Sequence, residues 1–289
     1  MTPPAARWTD FLELTKPRIV ALVLVTVAAA FYLGASGDIP LVLLAHTLFG
    51  TALVAAGTNS LNQVIEGDVD ARMRRTSRRP IPAGRLGVLP AAVFASALGA
   101  GGVAYLAAMV NLVAGGLAAL TLVSYAFVYT PLKRRSSLAT LVGAIPGALP
   151  VVGGWAAASG LPELEAWVLF AIMFLWQLPH FLALAWIYRD DYAAAGLRML
   201  SVGDVEGRAT FRQAGLASLA LLSAALAPTL VGIAGAAYFW GALLLSGWMV
   251  WAAMTAAFTP SVARARRLFR VSVAYLPALL VLMMMDKIP

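Results

Sequence analysis

Long apolar runs recur along the whole chain and are separated by short polar segments. Each run is about 18–22 residues long, the length that a helix needs to cross a ~30 Å hydrocarbon core. The runs are continuously apolar and rich in Ala, Leu and Val, whereas the strands of a membrane barrel alternate apolar and polar residues. The pattern therefore predicts an all-α polytopic membrane protein with nine transmembrane helices. The predicted spans are 19–37, 40–60, 88–108, 111–130, 138–159, 164–186, 213–233, 236–257 and 269–285.

Composition supports the same class of protein. Of the 289 residues, 61% are hydrophobic and only 12% are charged, against about 25% charged in an average soluble domain. So few charges exclude an ordinary soluble enzyme, a disordered chain and a soluble nucleic-acid-binding protein. We expect one membrane domain over residues 1–289, in contact with a lipid bilayer and with no nucleic acid as a partner. The chain has no cysteine, which excludes disulfides, thiolate metal sites and cysteine nucleophiles.

The formal net charge of +8 has a topological explanation. With nine spans, all of the 21 Lys and Arg residues except Lys287 lie on the side of the N-terminus. Cytoplasmic loops carry an excess of Lys and Arg. We therefore expect a multi-pass protein of the cytoplasmic (inner) membrane, with the N-terminus in the cytoplasm and the C-terminus on the opposite side. Most of these cations, including those of 264–270, need no further function.

The acidic residues do not follow so simple a rule. Asn62, Glu66 and Asp70 are spaced by four residues, so on a helix they form one polar face. Acidic groups near a membrane boundary are costly and require compensation. One interpretation is pairing with the arginines of 63–87 at a solvated helix end. The alternative is a divalent cation, because hard oxygen ligands suit Mg²⁺ and the neighbouring arginines suit phosphate. The combination favours a metal-bridged diphosphate site.

Two further polar clusters lie on the same predicted side of the membrane. Lys133 and Arg134 follow the fourth span, and His180 lies near the end of the sixth span, before Asp190 and Asp191. A single histidine in a span is more often a packing residue, and an acidic pair is often an ordinary part of a loop. Each cluster therefore has a structural as well as a functional interpretation.

Two other features complete the pattern. The polar stretch 187–212 is long for a bundle loop and either orders over a ligand as a lid or simply connects two spans. His46 has no polar companions nearby in the sequence, and we interpret it as structural.

These residues resemble the UbiA superfamily of intramembrane prenyltransferases, and in particular its heme-farnesylating branch. The resemblance extends over residues 12–285. Its first signature is the run Asn62-x-x-x-Glu66-x-Asp68-x-Asp70-x-x-Met73-x-Arg75-Thr76-x-x-Arg79-Pro80. Further matches are Leu14-Thr15-Lys16-Pro17-Arg18, Tyr129-Thr130 with Lys133-Arg134, Trp176-Gln177-x-Pro179-His180-Phe181 and Asp191-Tyr192-x-x-Ala195-Gly196-x-x-Met199-Leu200.

The resemblance implies a nine-helix bundle around a central cavity that is open to lipid, with a polar cap formed by 63–87 and 187–212. It implies farnesyl diphosphate and heme b as substrates and Mg²⁺ as cofactor, and it leaves room for a downstream heme-modifying membrane enzyme as a partner. The roles that it implies are Asn62, Glu66 and Asp70 as catalytic residues; Glu66, Asp70, Asp190 and Asp191 as metal ligands; Arg75, Arg79, Lys133 and Arg134 as diphosphate-binding residues; and His180 as a heme-binding residue.

This chain departs from the family pattern at two places. Glu66 stands where the superfamily commonly has Asp, and the second motif offers only Asp190 and Asp191 in place of a spaced acidic pair. The implied reaction is electrophilic alkylation, in which an allylic cation forms from farnesyl diphosphate and is captured by a heme vinyl group. The alternatives are a prenyltransferase acting on an aromatic quinone precursor, a secondary transporter and a structural membrane subunit.

Overall fold

The computed structural model describes residues 7–288, and this part of the chain is almost entirely helical. Its helices are α1 (Trp8–Thr15), α2 (Pro17–Gly34), α3 (Leu41–Ile65), α4 (Gly67–Asp70), α5 (Val88–Met109), α6 (Leu112–Val123), α7 (Thr130–Leu132), α8 (Ala139–Ser159), α9 (Leu164–Ile187), α10 (Arg189–Ala194), α11 (Leu200–Gly203), α12 (Arg208–Leu230), α13 (Ala236–Phe258) and α14 (Val262–Met285). A π-helical segment, Ser124–Tyr129, joins α6 to α7. Between residues 7 and 288 there is no β-strand, only an isolated bridge between Ala234 and Lys287.

Nine segments of the described chain are long and apolar enough to cross a membrane, which confirms the predicted all-α fold with nine spans. The observed helices extend further than the apolar runs at one end of the bundle. α3 continues to Ile65, while α12 begins at Arg208 and α14 at Val262. The apolar pattern marks only the part of a helix that lies in hydrocarbon. Beyond it the helix continues wherever its polar side chains find partners inside the protein.

The fourth span changes its helical pitch near its end. The π-helical turn at Ser124–Tyr129 is accompanied by a hydrogen bond from Thr130 Oγ1 to the Tyr125 carbonyl oxygen at 2.8 Å. Single π turns rotate the residues that follow them and occur frequently at functional sites. Here the hydroxyl of the fully buried Thr130 also lies 3.3 Å from Asn62 Nδ2, on the second span.

The spans pack mostly against their neighbours in the chain, with α2 inserted against α8 and α9 against α12. α3 and α5 approach closely at Gly57 and Gly99, where a Cβ on Gly57 would collide with the backbone of α5. Small residues at such contacts let membrane helices associate through close backbone packing. The largest fully buried side chains include Phe31, Phe211 and Tyr238.

Successive spans run in opposite directions, so the loops gather at two ends of the bundle. We call the end that carries loops 66–87, 133–138, 188–207 and 259–261 the basic end, because the arginine-rich segments lie there. The other end carries loops 35–40, 110–111, 160–163 and 231–235 together with the last described residues. The sequence-predicted acidic residues are all at the basic end.

Candidate active site

The polar face predicted at the end of α3 is present and points into the protein. The amide of Glu66 donates to the Asn62 carbonyl at 3.0 Å and the amide of Asp70 donates to the Glu66 carbonyl at 2.8 Å, so the helical register continues through the junction with α4. Asn62, Glu66 and Asp70 are only 3%, 5% and 1% exposed. Asn62 Nδ2 donates to Glu66 Oε2 at 2.8 Å. The three side chains are therefore buried polar groups rather than a solvated helix end.

Each buried carboxylate of this face has a cationic partner from another part of the chain. Lys133 Nζ lies 2.5 Å from Glu66 Oε1 and 2.7 Å from Glu66 Oε2. Arg79 Nη1 donates to Asp70 Oδ2 at 2.6 Å. A buried charge without a partner is strongly destabilising, so each of these cations compensates a carboxylate inside the bundle. Two of the predicted diphosphate-binding residues, Arg79 and Lys133, are thus placed beside the predicted catalytic residues.

A third cation, Lys16, enters the same cluster from the junction of α1 and α2. Its ammonium donates to Asn62 Oδ1 at 3.2 Å. Lys16 has φ 51° and ψ 66°, and over residues 7–288 no other residue except glycine has a positive φ. A left-handed backbone at a non-glycine residue costs energy and persists only where the surroundings impose it. Such strain is typical of residues held for function.

The constraint on Lys16 comes from the amide side chains of α3. Gln63 Nε2 donates to the Leu14 carbonyl at 2.7 Å, and Asn59 Nδ2 donates to the Thr15 carbonyl at 3.3 Å. These two bonds hold the last carbonyls of α1 on the buried polar side of α3. They therefore fix the position from which the Lys16 side chain reaches Asn62.

Lys16 differs from the other cations of the cluster because it has no carboxylate within ion-pair distance in the described chain. Burial, followed by the positive charges of Arg79 and Lys133, lowers the pKa of Lys16 from 10.5 to about 7. An anion entering the cluster would offset both effects. The sequence does not single out Lys16 as a site residue, because the topological explanation of the cations also accounts for it. The one sequence feature that points to Lys16 is the match of Leu14–Arg18 to the family pattern.

The acidic face offers oxygen atoms that suit a divalent cation. Glu66 Oε1 is buried and accepts no well-aligned hydrogen bond, although the Lys133 ammonium is close to it. Carboxylate oxygens are the ligands that Mg²⁺ prefers, and Mg²⁺ usually keeps several waters or substrate phosphates. No group of three or more Asp, Glu or His side chains converges within residues 7–288. Two carboxylates therefore fit a metal that takes its remaining ligands from an anionic substrate and water.

The second acidic pair lies near the first motif but does not join its carboxylates. The Asp190 side chain is 99% exposed and lies 3.7 Å from Arg189, while Asp191 is half-buried on α10. The segment around them nevertheless covers the first loop, because Arg75 stacks on the Tyr188 ring at 4.9 Å. A small apolar cluster completes this contact and consists of Val69, Met73, Ala185, Ala195, Leu197 and Met199. A metal-binding role for Asp190 and Asp191 stays a prediction.

The two remaining arginines predicted to bind diphosphate lie at the rim. Arg75 is exposed. Arg134 holds the exposed Asp68 with two bonds of 3.0 and 2.5 Å and also donates to the Ile65 carbonyl. This pair links the turn after the fourth span to the end of α3. In this structure neither Arg75 nor Arg134 contacts Glu66 or Asp70.

A cavity of about 100 Å³ lies next to the Lys133–Glu66 pair. Its polar wall includes Tyr129, Thr140 and Tyr192, and its apolar wall includes Phe181 and Met199. Lys133 Nζ lies 4.9 Å from the centre of the Tyr129 ring, so the Tyr129 side chain contacts both the cavity and the ion-pair cluster. An apolar space beside buried cations suits an amphiphilic anion with its charged group at the cluster.

The two histidines have different surroundings. His180 stacks on Trp176 with a ring separation of 5.1 Å and shares a 2.8 Å hydrogen bond with Ser272 Oγ. It does not line the 100 Å³ cavity, although the next residue does, and its heme-binding role stays a prediction. His46 has a polar partner that its sequence neighbours do not indicate: its Nδ1 lies 2.7 Å from the Tyr105 hydroxyl, on a span distant in sequence, and its structural role stays a prediction.

Comparison with known proteins identifies relatives over nearly the whole chain. The UbiA prenyltransferase family matches residues 23–276. A protoheme IX farnesyltransferase from Solibacter usitatus is 46% identical over 287 residues, covering 96% of this chain and 98% of that protein. A protoheme IX farnesyltransferase from Koribacter versatilis is 43% identical over 288 residues, covering 96% and 93%.

Solved structures share the fold at low sequence identity. Digeranylgeranylglyceryl phosphate synthase superposes with a TM-score of 0.81 at 14% identity, covering 96% of this chain and 97% of that one. A UbiA homologue from Archaeoglobus fulgidus, bound to GPP and Mg²⁺, superposes with a TM-score of 0.65 at 16% identity, covering 95% and 99%.

Proposed function

Because the chain belongs to the UbiA prenyltransferase family, we propose that it transfers a farnesyl group from farnesyl diphosphate to a vinyl group of heme b, giving heme O and diphosphate. Relatives of near-equal length that carry the name protoheme IX farnesyltransferase support this acceptor and donor. The observation that carries the proposal is the buried cluster at the end of α3, in which three cations surround two carboxylates and contact, through Tyr129, a partly apolar cavity.

Glu66 and Asp70 are the residues that would hold Mg²⁺, since their oxygens are hard ligands and Glu66 Oε1 accepts no well-aligned hydrogen bond, although the Lys133 ammonium is close to it. The ion, when bound, would supply positive charge to the diphosphate as the allylic C–O bond breaks. Asp190 and Asp191 lie on the segment that covers the first motif, and we propose them as further ligands of the same Mg²⁺ ion. The Mg²⁺ in the A. fulgidus homologue supports this assignment at the level of the family.

The side chains of the cluster perform the electrostatic part of the reaction. Lys16, Arg79 and Lys133 bind the diphosphate oxygens and stabilise the charge that develops on them. Asn62 bridges Lys16 and Glu66 and keeps both in position. Arg75 and Arg134, at the rim, would meet the diphosphate on its way in. No protein nucleophile is required, which agrees with the absence of cysteine from the chain.

The apolar cavity protects the reactive carbon. An allylic cation exposed to water would be hydrolysed, and a closed apolar space prevents this side reaction. The vinyl group of heme b attacks the cation, and one water then adds to the resulting porphyrin-side cation and releases a proton, which leaves a hydroxyethylfarnesyl group. We propose His180 as a residue on the heme side, because its ring lies on α9 next to the cavity-lining Phe181.

We place the protein in the cytoplasmic membrane with the basic end in the cytoplasm. The positive-inside rule supports this orientation, since Lys287 is alone among the Lys and Arg residues in lying at the other end. A downstream membrane enzyme that modifies heme O further would be a natural partner for so apolar a product.

The test is product formation by the protein in membranes. Heme b, farnesyl diphosphate and Mg²⁺ are incubated with the full chain, and heme products are identified by mass spectrometry with EDTA as the control. We expect a hydroxyethylfarnesyl heme that disappears with EDTA and in Asp70→Ala and Glu66→Ala variants that still fold. Normal rates in both variants would contradict the metal–diphosphate site. A product from 4-hydroxybenzoate in place of heme b would identify the quinone-precursor alternative.

A further inference from the structure

A second and larger space lies at the surface of the basic end. It is a cleft of about 440 Å³ between the turn after the fourth span and the segment that leads into α11. Ligand sites in proteins typically have volumes of about 300–1,000 Å³. The lining residues that matter here are Arg135, Ser136, Arg198, Met199 and Val202.

The two arginines of this cleft lack acidic partners in the described part of the chain. Arg134 and Arg189, their near neighbours, contact Asp68 and Asp190 respectively. Arg135 and Arg198 are exposed and have no carboxylate within ion-pair distance among residues 7–288. Two guanidinium groups in one cleft repel each other and leave ten N–H donors for an external acceptor, about five on each group. The cleft therefore offers unpaired donors to an anion.

The backbone around the arginines is held in place. The amide of Arg198 donates to the Lys133 carbonyl at 2.9 Å, which ties the two walls of the cleft together. Through the same bond Arg198 contacts the backbone of Lys133, whose side chain pairs with Glu66. The anion-binding cleft and the proposed diphosphate site are thus connected through Lys133.

The inner wall of the cleft is apolar and leads towards the active site. Met199 is 8% exposed and lines both the 440 Å³ cleft and the 100 Å³ cavity beside Tyr129. Val202 packs against the small apolar cluster that contains Met199, Val69 and Met73. Met199 therefore separates the two exposed arginines of the cleft from the partly apolar cavity beside Tyr129. An occupant would need carboxylate or phosphate groups on one edge and a flat apolar body.

We propose that this cleft, the Arg135–Arg198 cleft, binds the propionate edge of heme b and so directs the vinyl edge past Met199 towards the allylic carbon; the inference rests on the proposed function. Heme b carries its two carboxylates on one side of the porphyrin and its vinyl groups away from them. The guanidinium fork matches a carboxylate with two parallel hydrogen bonds. The arginines act by orienting the acceptor, not by taking part in bond formation.

The test compares heme b with its dimethyl ester, in which both carboxylates are masked. Binding of each is titrated by its absorbance change on the full chain in nanodiscs, with empty nanodiscs subtracted, and kcat/KM is measured for each. We expect the wild type to prefer heme b by about tenfold, a usual value for charge-assisted hydrogen bonds. In the Arg135→Gln/Arg198→Gln variant the preference should fall to near one, with an unchanged KM for farnesyl diphosphate.

The matched control is Arg212→Gln/Arg266→Gln, which removes two exposed cations of the same end that do not line the cleft. It should keep the full preference for heme b, so that a general loss of surface charge is separated from loss of the cleft. Retained preference in the Arg135→Gln/Arg198→Gln variant would overturn the proposal. So would a loss that changes with the anionic-lipid content of the nanodisc and affects heme b and its ester equally, which would identify a lipid phosphate as the occupant.

The binding titration keeps this inference distinct from the proposed function. If the wild type binds heme b through the cleft but forms no farnesylated product, the transfer reaction is wrong and the cleft is right. If product forms and the variant binds both acceptors as the wild type does, the opposite conclusion holds.

Discussion

The two ends of the bundle use charged residues in different ways. At the end with the C-terminus, Lys287 donates to the Tyr32 and Ala35 carbonyls at 2.8 and 2.6 Å. Asp286 accepts from the Tyr238 amide at 2.7 Å. Both of these charged side chains satisfy backbone groups at the end of a helix.

At the basic end, charges are buried against one another instead. Two ion pairs lie inside the protein, Glu66 with Lys133 and Asp70 with Arg79. Lys16 lies beside them and has no carboxylate partner among the described residues. A charge that caps a helix end needs only a backbone group as its partner. Burying several charges together has a high desolvation cost. The comparison indicates that the charges of the cluster are retained for chemistry and those of the opposite end for stability, and four predictions test it.

The largest effect is expected from Glu66→Gln. This change keeps the shape of the side chain but removes the charge that balances Lys133 and the oxygen proposed for Mg²⁺. We expect the single-turnover rate of farnesyl transfer to fall about 100-fold or more, the scale of losing one electrostatic group at a reacting centre. The rate is measured over a range of Mg²⁺ concentrations. A normal rate with normal Mg²⁺ dependence would place the catalytic cluster elsewhere.

The next effect separates two adjacent cations with different surroundings. Lys133 is 13% exposed and pairs with Glu66, whereas Arg134 is 41% exposed and pairs with a surface carboxylate. We expect Lys133→Gln to reduce kcat/KM for farnesyl diphosphate about tenfold to 100-fold, because charge-assisted bonds to phosphate are strong. Arg134→Gln should change it less than about threefold, since exposed ion pairs contribute little. Equal losses in both variants would show that depth in the cluster does not matter.

A smaller effect is expected from Lys16→Met, and it depends on pH. With its pKa lowered to about 7, Lys16 in the ligand-free protein loses its proton as the pH rises through that value. Binding of diphosphate needs the ammonium, so wild-type affinity should weaken as the pH rises above about 7. Inorganic diphosphate binding, measured by calorimetry across that range, should be about tenfold weaker in Lys16→Met at low pH. The difference between the two proteins should shrink at high pH; a constant difference would contradict the role of the charge.

The smallest effect on activity is expected from Lys287→Met, at the opposite end. It removes two hydrogen bonds to carbonyls and should lower the stability by about 1–2 kcal/mol. Thermal unfolding in detergent measures the loss, and kcat/KM at low temperature should remain within about twofold of the wild type. Loss of activity without loss of stability would mean that this end also takes part in the reaction.

Much of the fold was accessible from the sequence. The nine spans follow from apolar runs, because lipid leaves no other partner for backbone groups and so requires helices of a fixed minimum length. The polar face of Asn62, Glu66 and Asp70 follows from their spacing on a helix. Both are local properties of consecutive residues, and both are present in the structure.

The composition of the cluster was less accessible. Nothing in the spacing of residues indicates that Lys133, rather than Arg134, turns inward, because a difference of one position on a helix end changes the direction of a side chain by about 100°. The sequence alone explains Lys16 as one of the topological charges. Its role depends on the hydrogen bonds from Asn59 and Gln63 to the end of α1. These bonds hold Lys16 in a left-handed backbone conformation that the sequence does not predict.

Local sequence thus determined which segments cross the membrane, on which side the cations gather and which face of α3 is polar. Only the packing of distant segments decided which charges are buried together, because three chain segments meet at Asn62 and each carries several cations of the same type. It also decided that Arg135 and Arg198 have no acidic partner within residues 7–288. The energy of a charge depends on what surrounds it in space, and that is set by contacts between residues far apart in the chain.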